Sequence, residues 1–101
     1  MTETELEELK KIVAPIAEKR GVEKVYLFGS RARGDNRPDS DYDFFVHRGT
    51  LKGLAYFGLI GDLEDALGTS VDIVLNGIPE ESRFMREVKT DEVLVYDNAA
   101  R

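Results

Sequence analysis

The most informative stretch of the chain reads GSRARGDNRPDSDYD and runs from Gly29 to Asp43. It follows the apolar run Val25–Phe28, which predicts a short strand, and it ends inside Tyr42–Val46, which predicts a second strand. Between them, Ser30–Arg33 fits a single helical turn, and residues 35–40 are rich in turn formers. Polar and charged side chains are therefore concentrated in the connection between two apolar strands.

Three aspartates in this pattern could hold a metal ion. Asp41 and Asp43 are two residues apart at the start of a predicted strand, so their side chains point to the same face. Asp72 lies within Val71–Leu75, another predicted strand, where a charge is costly unless it is paired or binds a metal. If the two strands are neighbours, the carboxylates converge into a set of oxygen ligands that suits Mg²⁺.

The beginning of the same stretch could hold phosphate. Gly29 lets a ligand approach the backbone closely, and Ser30 adds a hydroxyl donor where a helical turn begins. Arg31, Arg33 and Arg37 could neutralise the phosphate charge. Plainer interpretations exist for each part, namely an ordinary turn, solvated arginines, and aspartates in a turn or in salt bridges to these arginines. Their joint occurrence favours chemistry on a nucleoside triphosphate.

The rest of the chain predicts helices alternating with short strands. Thr4 and Glu7 fit a capping box for an N-terminal helix that ends at Gly21. Thr50 fits the cap of a helix from about Leu51 to Leu67. The core stripe of that helix is predicted as Leu51, Leu54, Ala55, Leu59, Leu63, Ala66 and Leu67, with Tyr56, Phe57 and Ile60 outside it. A last helix from Pro79 to about Lys89 and a strand over Val93–Tyr96 complete an α/β (α+β) fold, with a small mixed sheet of three to four strands and about four helices.

Length and composition narrow the class of protein. At 101 residues the chain is expected to form one domain, residues 1–101, and its acidic, polar start does not resemble a signal peptide. No apolar run suggests a membrane span, and with no cysteines a cytoplasmic location is expected. A net charge of −6 argues against direct binding to nucleic acid. His47, the only histidine, shares strand parity with Asp43, so it could face the same site.

Taken together, these motifs resemble the minimal nucleotidyltransferase (MNT) family of the DNA-polymerase-β-like nucleotidyltransferase superfamily. The resemblance rests on Gly29-Ser30, ten intervening residues, Asp41-Tyr42-Asp43 and Asp72 on a later strand, and it extends over nearly the whole chain. It implies that Asp41, Asp43 and Asp72 are catalytic and hold two Mg²⁺ ions, with Asp72 also activating the acceptor hydroxyl. It implies ATP as substrate, attacked at the α-phosphorus with release of pyrophosphate. The nucleotide-binding residues implied are Gly29, Ser30, Arg31, Arg33 and Ser40.

Members of this size resemble MNT antitoxins that pair with HEPN toxins. The resemblance therefore implies transfer of AMP to a hydroxyl, a tyrosine, of a HEPN toxin that is an RNase, within a hetero-complex. One alternative is a binding module that neutralises its partner by complex formation alone, for which the apolar group Tyr56, Phe57 and Ile60 is the motive. The other is a nucleotidyltransferase for a small hydroxylated molecule such as an aminoglycoside; the absence of an acceptor-binding domain argues against it.

Overall fold

The computed structural model describes residues 1–76 and 91–100 of the chain. The elements in these residues are α1 (Glu3–Arg20), β1 (Lys24–Phe28), α2 (Ser30–Arg33), β2 (Tyr42–His47), α3 (Ala55–Leu67), β3 (Val71–Leu75) and β4 (Val93–Asp97), followed by a 3-10 turn, Asn98–Ala100. Each predicted element in these residues is present, with ends shifted by one to four residues for most of them. The helix predicted from Pro79 to Lys89 lies outside the described residues.

The strands form one mixed sheet in the order β3-β2-β1-β4. β1 pairs antiparallel with both β2 and β4, whereas β2 and β3 are parallel, with α3 lying between them in the chain. The prediction of a small mixed sheet packed with helices is confirmed. The parallel pair determines the site, because the two strands that carry the predicted carboxylates are direct neighbours.

One face of the sheet packs against α1 and α3 to form the core. Alternate strand residues supply the sheet's part of that core, as the two-residue period of a strand requires. Its buried members include Leu9, Val13 and Ala17 from α1, Leu59 and Leu63 from α3, and Val25, Leu27, Phe44 and Val46 from the strands. The intervening residues of β2 and β3, including Asp43, Phe45, Asp72 and Val74, therefore point to the opposite face.

The N-cap of α1 lies two residues earlier than predicted. Thr2, not Thr4, is the N-cap: its hydroxyl accepts from the Glu5 backbone N–H, and the Glu5 carboxylate accepts from the Thr2 N–H. The sequence contains two overlapping Thr-x-x-Glu patterns, and the earlier one is used. The predicted stop is confirmed, since Gly21 caps the helix with a φ of 77°.

The helix α3 starts later than predicted. Residues 48–54 form turns, with Leu51 N–H bonded to Arg48 O and Ala55 N–H bonded to Lys52 O, and the Thr50 hydroxyl bonds Gly21 O instead of capping a helix. Leu54 therefore does not continue the helical stripe and is 84% exposed. Ala66, the residue before the last one of α3, is also exposed, although it was predicted in the core stripe.

Candidate active site

The aspartates of β2 and β3 meet across the parallel pair. Asp43 and Asp72 are register partners on the two parallel strands, close enough for the charge of Asp72 to act on Asp43. Asp41 lies two residues before Asp43, at the entry to β2, close enough for its charge to act on Asp43. The strand register thus makes Asp43 and Asp72 neighbours, with Asp41 just before β2, and the binding of a metal ion by the three carboxylates stays a prediction.

The electrostatics of this cluster centre on Asp43. Partial burial raises the pKa of Asp43 above its ordinary value, and the nearby charges of Asp72 and then Asp41 raise it further, with only a small opposing effect from Arg33. Carboxylates held close together attract a cation, and their mutual repulsion is unfavourable when no cation is bound.

The sequence argument that Asp72 is a buried charge is wrong. Asp72 is exposed on the open side of β3, an edge strand in the described part of the sheet, and Asp41 is exposed as well. Only Asp43 is half-buried, because it lies on β2 between two paired strands. Asp41 and Asp72 are thus the two carboxylates of the three that are open to solvent.

Gly29 lies directly against this cluster. It adopts a φ of 77° and a ψ of −157°, and a Cβ built there would lie 2.5 Å from Asp43 Oδ2. A side chain is therefore excluded both by the backbone conformation and by the carboxylate. Ser30 follows as the first residue of α2, whose Arg33 and Gly34 amides bond back to Gly29 O and Ser30 O. The predicted phosphate loop therefore lies against Asp43, one of the predicted metal ligands.

The arginines of this stretch have different surroundings. Arg33 is exposed, and its Nε and Nη1 bond Asp35 and Asp91 at 3.0 and 2.8 Å, which raises its pKa above the ordinary value. The predicted alternative of a salt bridge from Asp43 or Asp72 to an arginine is absent among the described residues, where the ion pairs involve other aspartates. Arg37 is exposed in the loop before β2.

Arg31 and Ser40 are joined to each other. The Arg31 guanidinium donates to Ser40 O and Pro38 O and lies 4.0 Å over the ring of Tyr42. The Ser40 hydroxyl accepts from the Arg37 amide at 2.9 Å. The structure therefore gives both residues contacts within the loop, and their predicted contact with nucleotide stays a prediction.

His47 lies at the far end of β2 from Asp41. Its ring is 5.4 Å from Phe45 and 5.8 Å from Tyr26, and it is half-buried. His47 therefore shares a face with Asp43, as parity predicts, but belongs to an aromatic cluster four residues further along the strand.

A cavity of about 480 Å³ opens beside the carboxylates. Its walls include Asp43 and Asp72 together with Tyr56 and Ile60 of α3, and the Tyr56 hydroxyl donates to Ile73 O on the edge of β3. Tyr56 and Ile60 were predicted to lie outside the core stripe and, with Phe57, to offer a possible partner surface, but their place in the wall of this cavity was missed. Their spacing of four residues on one helix face was the available signal.

No helix among the described residues is long and apolar enough to cross a membrane. Among residues 1–76 and 91–100, no group of three or more histidine, cysteine, aspartate or glutamate side chains is placed so that it could hold a metal ion.

A mixed sheet with paired aspartates on adjacent parallel strands, next to a Gly-Ser loop that opens a helical turn, defines a nucleotidyltransferase. The chain belongs to the polymerase beta nucleotidyltransferase family, which it matches over residues 10–101. It is thus a nucleotidyltransferase enzyme, and the resemblance seen in its motifs is confirmed.

Similar proteins agree with this assignment. A Methanocaldococcus jannaschii protein named "Putative protein adenylyltransferase" is 37% identical over 70 residues, which cover 68% of this chain and 75% of that relative. A solved structure described as a "putative minimal nucleotidyltransferase" is 32% identical, with a TM-score of 0.73 over 92% of this chain and 95% of its own. A complex of tri-AMPylated Shewanella oneidensis HEPN toxin with MNT antitoxin contains a similar chain, at 21% identity and a TM-score of 0.66, over 94% of this chain and 75% of that one. That last likeness is evidence of the fold alone.

Proposed function

We propose that this chain is a Mg²⁺-dependent adenylyltransferase that moves AMP from ATP to a tyrosine hydroxyl of a HEPN-family toxin and so acts as an antitoxin. The observation that carries the proposal is the pairing of Asp43 with Asp72 across β2 and β3, beside Asp41 and against Gly29. Carboxylates and a phosphate loop at one place are what the transfer of a nucleotidyl group requires.

The donor set at the site fits Mg²⁺. Asp41, Asp43 and Asp72 offer hard oxygen ligands, and the pKa of Asp43 is raised by its burial and then by the nearby negative charges of Asp72 and Asp41, which a cation would offset. In the described residues these side chains are not placed so that they could hold an ion by themselves, so waters and substrate phosphates would have to supply further oxygens. Bound there, two ions would stabilise negative charge on the attacking and leaving oxygens.

The protein's own groups then have distinct tasks. The backbone at Gly29 and the Ser30 hydroxyl hold the triphosphate next to Asp43. The acceptor oxygen forms a bond to the α-phosphorus while the bond from that phosphorus to the pyrophosphate oxygen breaks. Asp72, which is exposed, receives the acceptor's proton. Catalysis rests on positioning and charge stabilisation.

The protein acceptor is supported by the relatives. One is named as an adenylyltransferase of proteins, and one similar fold is found in a complex with an AMPylated HEPN toxin. The acidic chain, with a net charge of −6, would also suit a partner whose RNA-binding groove is basic.

The direct test is transfer of labelled AMP from ATP to a purified HEPN-family toxin. Wild-type protein with Mg²⁺ is expected to add one or more AMP units to a tyrosine of the partner, read by intact mass and by peptide mapping. Asp41→Asn combined with Asp43→Asn is expected to abolish the transfer. Asp39→Asn is the matched control, since it makes the same chemical change at an exposed position of the same loop and should keep the activity. Transfer that persists in the double variant would refute the mechanism.

A second function, neutralisation by binding alone, is favoured by one observation. Leu54 is 84% exposed and Phe57 is 66% exposed, and the Phe57 ring lies edge-on to Tyr56, 5.5 Å away. Exposed apolar side chains next to each other indicate a partner surface. If replacing all three aspartates by asparagine leaves protection of cells intact while Leu54→Ser with Phe57→Ser abolishes it, the binding function is correct and the catalytic one is wrong.

A further inference from the structure

A single arginine, Arg31, contacts the residues that flank Asp41. Arg31 Nε and Nη2 donate to Ser40 O at 2.9 and 2.7 Å, and Nη2 also donates to Pro38 O at 3.1 Å. The same guanidinium lies 4.0 Å over the ring of Tyr42. Asp41 lies between Ser40 and Tyr42, so Arg31 contacts the residues on both sides of Asp41.

The other end of Arg31 is equally well defined. It is the second residue of α2 and follows Ser30 of the phosphate loop directly. Tyr42, on which the guanidinium rests, belongs to β2, stacks on Phe44 at 5.9 Å and packs against the core. Arg31 thus connects the phosphate loop to the strand that carries the carboxylates.

Asp41 depends on such a support more than Asp43 does. Asp43 is paired with β1 and β3 on its two sides, whereas Asp41 precedes β2 and is exposed at the end of a turn-rich loop. At its start the loop is joined to α2 by Asp35 N–H to Ser30 O and by Arg33 Nε to the Asp35 carboxylate. Near Asp41, the bonds Ser40 N–H to Arg37 O and Arg37 N–H to the Ser40 hydroxyl close the turn but do not join it to α2.

We infer that Arg31 is a positioning residue, which holds Asp41 at a set distance from the Gly29-Ser30 loop, and not a phosphate ligand. Its planar guanidinium reaches two carbonyls at once while covering an aromatic ring, and a lysine cannot reproduce that geometry. The inference rests on the proposed function, since Asp41 matters through the metal and the nucleotide.

The two roles predict different kinetics for Arg31→Lys. Loss of positioning lowers kcat at saturating ATP by about tenfold to a hundredfold, the size expected for a catalytic group displaced by about 1 Å. The KM for ATP stays within about twofold, because ground-state binding is not removed. Loss of a phosphate ligand would instead raise the KM for ATP with kcat kept, and that result would overturn the inference.

Arg20→Lys is the matched control. Arg20 also uses Nε and Nη2, here on Asp62 at 2.9 and 2.8 Å between α1 and α3, away from the site. It should lose a similar contact and keep its kcat. An equal fall of kcat in both variants would mean general destabilisation and would contradict the inference.

Amide hydrogen exchange tests the inference without activity. In Arg31→Lys the amides of Ser40 and Tyr42 are expected to exchange faster than in wild type, while those of β1 are unchanged. Arg31→Gln serves the same measurements if the lysine variant does not fold. Unchanged exchange at Ser40 and Tyr42 would refute the positioning role, whereas absence of AMP transfer in wild type would refute the proposed function and leave the exchange result valid.

Discussion

Two pairs of charged side chains in this protein are arranged in opposite ways. Between α1 and α3, Arg20 meets Asp62 at 2.8 Å, a partly buried pair of opposite charge. Between β2 and β3, Asp43 meets Asp72, a pair of like charge with Asp41 nearby. The first pair stabilises the packing of two helices, whereas the second places like charges close together, which is unfavourable unless a cation offsets them. The first pair is therefore a stabilising contact, and the second belongs to the candidate site.

The largest expected effect comes from removing the charge of Asp43. Asp43→Asn should lower kcat for AMP transfer by about a hundredfold or more, because charge stabilisation at the reacting phosphorus is lost. It should also raise the melting temperature of the metal-free protein, because it relieves repulsion from Asp72 and Asp41. Steady-state kinetics and calorimetry check the two results.

Asp62→Asn is the counterpart at the helix pair. It should lower the melting temperature and keep kcat, so the two asparagine variants move in opposite directions. If Asp43→Asn destabilised the protein as Asp62→Asn does, the contrast between the two charge pairs would be wrong.

A smaller effect is expected at Gly29, whose backbone lies against Asp43 of the like-charged pair. Gly29→Ala should lower the free energy of unfolding by about 1–3 kcal/mol, since it forces a strained backbone and a clash with Asp43. Gly61→Ala in α3 is the control: its Cβ would meet nothing within 4 Å, and alanine in a helix should stabilise by roughly 0.5–1 kcal/mol. Chemical denaturation measures both. If Gly29→Ala left the free energy of unfolding unchanged, a side chain at this position would not clash with the Asp43 carboxylate.

The ion pair between Arg20 and Asp62 should contribute about 1 kcal/mol to the free energy of unfolding. This is the upper end for a partly exposed ion pair, because it has more than one hydrogen bond. Arg20→Met keeps the aliphatic stem, and with Asp62→Asn it completes a double-mutant cycle of unfolding free energies. The coupling should fall with added salt. A coupling of zero would leave α1 and α3 joined by apolar contacts alone.

The smallest effect is the pH dependence of the like-charged pair. The folded protein raises the pKa of Asp43, so the folded state binds this proton more tightly than the unfolded state does. Stability from this group is therefore fully present below its unfolded pKa and is lost as the pH rises through its folded pKa. The advantage of Asp43→Asn over wild type should shrink as the pH is lowered from neutral, measured in unfolding experiments without metal. An advantage that grows on acidification would contradict the raised pKa.

Much of the site could be predicted because its signals are local. The spacing of Asp41 and Asp43 places them on one strand face, and Gly29-Ser30 after an apolar run places a turn. The prediction for α3 failed at its start, since the turns at residues 48–54 depend on contacts such as Thr50 with Gly21, far away in sequence. The prediction of the N-cap of α1 was wrong because two Thr-x-x-Glu patterns overlap, and residue preferences for the cap position do not distinguish them.

The sequence by itself determined the chemistry available, because side-chain type and strand period are local properties. It supplies two aspartates at or just before the start of one strand, a third on another strand, and a glycine that can adopt a positive φ. Only the tertiary structure decided that β2 and β3 are parallel neighbours in the register that pairs Asp43 with Asp72. It also decided which carboxylate is half-buried and which arginine secures the loop. These depend on contacts between segments distant in the chain, and burial and electrostatic interaction follow from three-dimensional distance, which no local pattern contains.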